Sequence, residues 1–199
     1  LDAAVSSGKA RYVGVSNFGG WQMGTCAAWQ RAVPGRAPLV SNQVEYSLLQ
    51  RDIEREVVAG ADALGLGLLP WSPLGRGVLT GKYRNGAPAD SRGASDRFGT
   101  WIAPYLDDRC RAIVDAVLTA ADGLGVSPVA VALAWVRDRP GVVAPIVGAR
   151  TSAQLQASLA ADAVELPAEI RSALDDVSAP TLGYPENLPR RSLTDLDTP

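Results

Sequence analysis

The sequence predicts an α/β fold built on a parallel sheet. Short apolar runs at about residues 11–16, 39–45, 66–71 and 142–147 alternate with segments of helical periodicity, the pattern typical of parallel α/β proteins. Polar or conformationally special residues follow each run, and ligands in such folds lie at the carboxyl ends of the strands. We therefore expect the functional site at that edge of the sheet.

The predicted helices depend on apolar spacing and on capping residues. Residues 1–7 are expected to be the end of a helix that Gly8 closes, and residues 53–64 carry apolar side chains at helical spacing after a possible N-cap at Asp52. Four more helices are predicted, one over residues 107–124 and three that begin at Ser127–Pro128, at Thr151 and at Leu166–Pro167.

Three segments are expected to be irregular or exposed. Residues 75–105 show no periodicity and predict a long surface loop, and loops of that length in a compact domain are usually functional. Arg51, Asp52, Glu54 and Arg55 predict a solvated helix face rather than a site. An irregular tail is expected over residues 181–199, so the folded part is predicted to cover residues 1–180.

The composition limits the function classes. The chain has 199 residues, 47% hydrophobic and 20% charged, with a net charge of −2, so neither nucleic acid nor an anionic membrane is an expected partner. No apolar run approaches the roughly 18 residues of a spanning helix. The absence of histidine excludes a Ser-His triad, a His-ligated zinc and a His general base. Two distant cysteines favour a reducing cytoplasm and predict no metal site.

Four motifs occur in order: GKARYVGVSNF (8–18), SNQVEYSLLQR (41–51), LPWSPLGRGVLTGKY (69–83) and PIVGARTSAQL (145–155). Together they resemble the aldo-keto reductases, and the third motif is most similar to bacterial reductases and potassium-channel β subunits of that family. The resemblance covers about residues 1–180. It implies an NADPH-dependent carbonyl reductase built as a (β/α)8 TIM barrel. This chain then supplies the C-terminal half, four β/α units that match strands five to eight.

The resemblance implies roles for the residues at the strand ends. Ser16, Asn17 and Gln43 match positions that hydrogen-bond the nicotinamide carboxamide, a group whose acceptor and donors the two amides can complement. Trp71 matches the aromatic residue that stacks on the nicotinamide ring. Residues 72–77 match the loop over the pyrophosphate, where backbone N–H groups and a cation suit a diphosphate.

A second group matches the remaining phosphate and adenine contacts. Lys82 matches a further phosphate contact, and the segment from Gly148 to Gln154 matches the site of the 2′-phosphate and adenine, where Arg150 favours NADP over NAD. Ser158 stands where the family often has an adenine-contacting Asn, and Arg92 matches an arginine that folds over the cofactor. The predicted cofactor set is Ser16, Asn17, Gln43, Trp71, Ser72, Pro73, Leu74, Gly75, Arg76, Gly77, Lys82, Gly148, Arg150, Gln154 and Ser158.

Structural explanations stay open for several of these residues. Ser16 and Asn17 are also compatible with a simple cap of the next turn. The spacing of Thr151 and Gln154 fits a capping box, which is compatible with phosphate binding. In the long loop, Trp101 and Tyr105 fit a substrate wall or plain packing, and packing is favoured.

The same resemblance predicts no catalytic residue in this chain. The family's proton-donor tyrosine, its aspartate, lysine and histidine belong to strands two to four, which none of the four motifs matches. Tyr46 lies just past a strand end, but no lysine is near it in sequence to lower its pKa. Residue 1 is Leu and the only methionine is Met23, so residue 1 is not expected to be the natural start; processing and a misread start are the alternatives.

Three functional hypotheses follow. The chain is the C-terminal half of a reductase of small carbonyl compounds, a truncated piece of the full barrel. Alternatively, it is a non-catalytic, nucleotide-binding or regulatory half-barrel, or a structural half that pairs with itself or another chain. The strands at 11–16 and 142–147 would leave free edges, and the inner face of the sheet is expected to be apolar and uncovered. Both features predict a homodimer or aggregation.

Overall fold

The computed structural model describes residues 1–84, 86, 88 and 96–184, with the backbone alone for residues 96–98. Arg92 and residues 185–199 of the predicted tail lie outside the described residues. The strands are β1 (Val13–Ser16), β2 (Leu39–Glu45) and β3 (Gly67–Trp71). The α-helices are α1 (Asp2–Ser6), α2 (Gly20–Ala32), α3 (Val57–Leu64), α4 (Asp96–Ile102), α5 (Asp108–Leu124), α6 (Pro128–Arg137), α7 (Ser152–Leu159) and α8 (Ala168–Val177). Short 3-10 helices cover Asp52–Glu54, Ala103–Tyr105 and Ala160–Ala163, and Gly75–Thr80 forms 3-10 turns with a kink at Arg76 and Gly77.

The three strands form one parallel sheet in the order β1-β2-β3, which confirms the predicted α/β class. The register places Ser16 opposite Gln43 and Glu45 opposite Trp71, so the carboxyl ends of the strands meet at one edge. Gly14 makes the close approach of β1 to β2 possible, because a Cβ atom there would lie 2.3 Å from Ser41 Oγ.

The predicted strand at 142–147 is not formed as a regular strand among the described residues. It begins to pair with β3: Leu68 N–H donates to Gly141 O (2.8 Å) and Val143 N–H donates to Leu68 O (2.9 Å). The next parallel pair would need N–H groups from Pro70 and Pro145, and proline has none. Pro70 O instead accepts a bond from Ile146 N–H (2.7 Å). The two prolines therefore interrupt the ladder after one bridge.

Capping side chains set the helix starts. The Asp107 carboxylate accepts a hydrogen bond from Cys110 N–H (2.7 Å) at the start of α5, and the hydroxyl groups of Ser127 and Thr151 accept equivalent bonds at α6 and α7. These predicted starts are confirmed. The helix expected from residue 53 begins instead at Val57, after a 3-10 turn.

The expectation of an irregular loop over residues 75–105 is wrong in part, because α4 and the 3-10 helix Ala103–Tyr105 lie within it. Ile102 and Tyr105 are 1% and 8% exposed and pack into the main hydrophobic core. This burial stabilises short helices that the local sequence does not favour on its own.

The apolar residues form two main clusters. One contains the apolar faces of α5, α6 and α8, with Tyr46 and Trp135 in edge-to-face contact at 5.7 Å between ring centroids. The other fills the space between the sheet and the helices α2 and α3, around Met23 and Leu68. In the described part of the chain, no single helix is long and apolar enough to cross a membrane; α5 and α6 meet that test only as a pair, which is bent by 103°.

The expectation of an apolar uncovered sheet face is wrong for the strand centres. Val13, Val44, Leu66 and Leu68 are all buried in the cluster beneath the helices. The alternate positions, which stay partly exposed, carry mainly small or polar residues: Gly14, Ser16, Ser41, Gln43, Glu45, Gly67, Leu69 and Trp71. Exposed apolar side chains remain at the periphery, on Val40, Val143 and Ile146.

Arg51 and Glu54 do not form the solvated face that the charge pattern predicts. The Arg51 side chain is 7% exposed and pairs with both carboxylate oxygens of Glu54, at 2.9 and 2.8 Å. It also donates to Asp175 O and Ser178 Oγ, both at 2.8 Å. This network joins the turn after β2 to the end of α8, because Asp175 and Ser178 are distant in sequence from Arg51.

Candidate functional site at the carboxyl edge of the sheet

Residues from all three strand ends meet at this edge. Ser16 Oγ and Asn17 N–H both donate to the backbone oxygen of Gln43, at 3.0 and 2.9 Å. The indole Nε1–H of Trp71 donates to Asn17 Oδ1 at 2.9 Å. The structure therefore brings together four residues that the sequence analysis places around one ring and its carboxamide.

Some polar atoms of these residues remain available for a ligand. Among the described residues, neither the side-chain amide of Gln43 nor Nδ2 of Asn17 has a hydrogen-bond partner. Gln43 is half-buried and Asn17 exposed. An available amide beside an indole surface can bind a planar ring that carries a carboxamide.

Backbone strain is concentrated in the same place. Asn17 (φ 57°), Ser72 (φ 50°) and Arg76 (φ 57°) are the described non-glycine residues with a left-handed backbone, and all three belong to the predicted cofactor set. Such conformations cost about 1–3 kcal/mol each and cluster at ligand-binding sites. Their confinement to one edge supports a site there independently of the sequence motifs.

The turn after β3 approaches its neighbours closely. Gly75 has φ 54°, and a Cβ atom there would lie 2.6 Å from Leu49 Cδ1. Gly77 has φ 90°, and a Cβ atom there would lie 3.1 Å from Lys82 Nζ. Pro73 is buried and Leu74 half-buried, so this turn is anchored against the core while Lys82 stays exposed beside it.

Arg76 is held by protein groups rather than left free for an anion. Its guanidinium pairs with both oxygens of Glu45 (3.1 and 2.8 Å), and Nη1 donates to Trp101 O. It also lies over the rings of Trp71, Trp101 and Tyr105, at 5.9, 5.5 and 5.1 Å from their centroids. Tyr105 packs in this cluster and donates its hydroxyl to Glu45 Oε1 (3.0 Å), as the packing interpretation predicts.

Lys82 and Arg150 differ from Arg76 in this respect. Neither has a carboxylate partner among the described residues, and both are exposed. Lys82 Nζ lies over the Tyr83 ring at 5.0 Å. Two cations without a described carboxylate partner are therefore available, Lys82 on the segment after β3 and Arg150 on the loop before α7.

The residues before and within α7 form local hydrogen bonds. Gln154 Oε1 accepts from Arg150 N–H (2.8 Å), and Thr151 Oγ1 accepts from Gln154 N–H (3.2 Å). Ser158 Oγ donates to the backbone oxygen of Gln154 at 3.0 Å. Ile146 N–H donates to Pro70 O next to the carboxyl end of β3, so the chain enters the exposed Gly148 and the loop after it from that end of the sheet. Contacts of these side chains with adenine stay a prediction.

Two residues that position the site were given no role by the sequence analysis. Asn42 is fully buried; its Nδ2 donates to Phe18 O (2.9 Å) and fixes the turn after β1, while its Oδ1 has no partner among the described residues. Glu45 holds Arg76 and Tyr105. For Asn42 the available signal was a polar side chain that alternates with Val40 and Val44, the apolar positions on its face of β2.

Comparison with known proteins assigns the family. The sequence model of the Aldo/keto reductase family matches residues 1–179. The chain belongs to the aldo/keto reductase family. Among the similar proteins is the uncharacterized oxidoreductase YrpG of Bacillus subtilis, 37% identical over 181 residues that cover 89% of this chain and 52% of the relative. Members of this family are (β/α)8 barrels, and the three-stranded parallel sheet is consistent with part of one.

Two further relatives show the range of names within this aldo/keto reductase group. A probable voltage-gated potassium channel subunit beta of Arabidopsis thaliana is 35% identical over 81% of this chain and 49% of its own length. The versiconal hemiacetal acetate reductase of Aspergillus parasiticus is 28% identical over 93% of this chain and 53% of its own length. The chain spans about half the length of the curated relatives it matches.

Tyr46 directly follows the carboxyl end of β2. This tyrosine is poorly suited to donate a proton. It is 1% exposed, and its hydroxyl donates to Glu54 Oε1 at 2.6 Å. Burial, and next the hydrogen bond to Glu54, raise the pKa of Tyr46 well above its ordinary value. In the described residues no group of three or more His, Cys, Asp and Glu side chains is arranged to hold a metal ion.

Proposed function

We propose that this chain is the cofactor-binding, C-terminal half of an NADPH-dependent aldo-keto reductase that acts on small carbonyl compounds. The observation that carries the proposal is the meeting of Asn17, Gln43 and Trp71 at the carboxyl edge, where the described non-glycine residues with a left-handed backbone also lie. We also propose that the chain forms four β/α units of the barrel, the fourth with an interrupted strand at 142–147.

The residues present fit such a cofactor. Asn17 and Gln43 offer side-chain amide groups to the carboxamide, beside the indole of Trp71. Lys82 and Arg150 offer cations without carboxylate partners in the described part of the chain, as a molecule with several phosphates requires. When bound, the nicotinamide supplies a hydride to a carbonyl carbon. The chain's own contribution is to orient the ring and to balance the phosphate charge.

The preference for NADPH over NADH is assigned to Arg150. This exposed cation precedes α7, whose first turn adds the positive end of a helix dipole. Replacing Arg150 by Ala should weaken NADPH binding by about 1–3 kcal/mol, the cost of a lost charged hydrogen bond. NADH binding should stay nearly unchanged.

Isothermal calorimetry with both dinucleotides tests this assignment. Arg111→Ala serves as the matched control, because Arg111 is an exposed arginine on α5 that pairs with Asp108 on the same helix. Equal weakening of NADPH and NADH by Arg150→Ala would remove Arg150 from the 2′-phosphate site. Failure of the wild-type chain to bind either dinucleotide would overturn the proposed function.

A second candidate is a non-catalytic, nucleotide-binding or regulatory half-barrel that assembles with another chain. The similarity to proteins named as potassium channel β subunits favours it, as does the unsuitable environment of Tyr46. A homodimer through free strand edges is also proposed, because unpaired N–H and C=O groups at the edge of a sheet can pair with a second chain. A reducing, cytoplasmic compartment suits the two free thiols, Cys26 and Cys110.

Turnover tests whether this chain has a proton donor of its own, which neither candidate expects. With NADPH and a reactive aldehyde, the 199-residue chain should give no carbonyl reduction, because no proton donor of the family's kind is matched in it. Clear turnover that Tyr46→Phe abolishes would show that this chain has a proton donor of its own.

A further inference from the structure

Glu45 and Arg76 form an ion pair whose place in the fold is informative. Glu45 is the last residue of β2 and lies opposite Trp71 in the sheet register. Its side chain is 13% exposed and that of Arg76 20% exposed, so the pair is largely removed from water. A bidentate arginine–carboxylate pair of this kind fixes geometry as well as charge.

The backbone of Arg76 shows that its side chain is needed where it is. Arg76 has φ 57° and ψ 24°, between Gly75 and Gly77, which are both left-handed as well. Glycine adopts this conformation without steric cost, whereas arginine does not. A strained arginine persists only where the surrounding contacts hold it, and here the Glu45 carboxylate and Trp101 O do so.

The indole of Trp71 is therefore held from two directions. Asn17 Oδ1 accepts its Nε1–H, and the Arg76 guanidinium lies 5.9 Å from its ring centroid. Arg76 in turn is fixed by Glu45, whose second contact, with Tyr105, joins the 3-10 helix Ala103–Tyr105 to the same cluster. The charge of Arg76 is already balanced, so its effect on a ligand acts through the aromatic ring.

We propose that Glu45 is a positioning residue, which fixes Arg76 against Trp71 and thereby sets the surface on which the nicotinamide ring rests. The proposal rests on the proposed function, since it needs an NADPH site at this edge. Glu45 touches no cofactor atom in this account. Its substitution should therefore affect the nicotinamide half of NADPH and leave the adenine half unaffected.

Calorimetric titration with NADPH and with adenosine 2′,5′-bisphosphate, which has no nicotinamide, separates the two halves. Glu45→Gln keeps the shape of the side chain but removes its charge and one acceptor of the bidentate pair. It should raise the Kd for NADPH about tenfold, as expected for one lost charge-assisted hydrogen bond. The Kd for the bisphosphate should change by less than about twofold, within the scatter expected of an uninvolved site.

Two variants make the test specific. Arg76→Gly keeps the left-handed backbone, removes the guanidinium and should reproduce the selective loss of NADPH. Glu169→Gln, on the exposed face of α8, is the matched control and should alter neither Kd. A thermal unfolding midpoint for each variant verifies that the chain remains folded.

The outcomes are distinct. Selective loss of NADPH by both Glu45→Gln and Arg76→Gly supports the positioning role. Equal loss of both ligands, or no loss of either, overturns it while the proposed function stands. Absence of binding of both ligands to the wild-type chain overturns the proposed function and this inference with it.

Discussion

The buried network around Arg51 should contribute strongly to stability. Arg51→Met keeps an apolar stem over the Trp135 ring, whose centroid lies 5.2 Å from the guanidinium carbon, but removes four hydrogen bonds to Glu54, Asp175 and Ser178. Breaking a buried pair by removing one partner costs about 3–5 kcal/mol. The Glu54 side chain is 20% exposed, so solvent screens part of that loss, and we expect about 2–4 kcal/mol.

Urea unfolding, followed by tryptophan fluorescence and circular dichroism at neutral pH, measures this loss. Arg111→Met is the matched control: its side chain is 59% exposed and pairs with Asp108 within α5, so it should cost less than about 0.5 kcal/mol. A loss below about 1 kcal/mol for Arg51→Met, or one equal to that of the control, would refute the argument that burial makes this network stabilising.

Three further predictions follow from packing, burial and exposed edges. Gly14→Ala should destabilise the chain by about 1–3 kcal/mol, because the new Cβ would lie 2.8 Å from Ser41 O and also against the Ser41 hydroxyl. Gly24→Ala on α2, where a Cβ meets no atom within 4 Å, should instead stabilise the chain by about 0.5–1 kcal/mol in the same unfolding assay. Equal changes in the free energy of unfolding for the two variants would contradict the clash at Gly14. Burial raises the pKa of Cys110 from its ordinary 9.0 to about 12, so a thiol reagent at pH 8 should modify Cys26 alone. Fast modification of two thiols per chain would contradict this. Because the buried thiol stays protonated, its contribution to stability should be complete below about pH 9 and decline above it as the unfolded thiol ionises. Size-exclusion chromatography with light scattering should show a dimer or larger species at micromolar concentration; a monodisperse, cooperatively unfolding monomer would contradict the proposed association.

The sequence predicts three strands and most helix starts because their signals are local. A capping side chain at Asp107, Ser127 or Thr151 acts within three residues of its own position, and the structure contains each of these bonds. The regular strand expected at 142–147 failed for a non-local reason. Pro70 and Pro145 interrupt the ladder only because the register brings them together, and a pattern confined to one segment cannot reveal that.

Burial by distant partners explains the other errors. The charges around residues 51–55 predict a solvated helix face when they are considered alone, yet Arg51 is buried against Asp175 and Ser178, more than 120 residues away in sequence. The uncovered sheet face was expected to be apolar because the strands as a whole are apolar. Alternation places the bulky residues under the helices and mainly small or polar ones on the other face.

Arg76 shows how far a motif can assign a cation. The third motif contributes Arg76 and Lys82 near the expected phosphates, and the fourth contributes Arg150. The sequence alone does not distinguish these three cations, because the partner of a cationic side chain depends on the fold. The carboxylate of Glu45, brought beside Arg76 by the register of β2 and β3, neutralises the first and leaves the other two available. The charge that an incoming polyphosphate meets at this edge therefore comes mainly from Lys82 and Arg150, whereas Arg76 acts through Trp71.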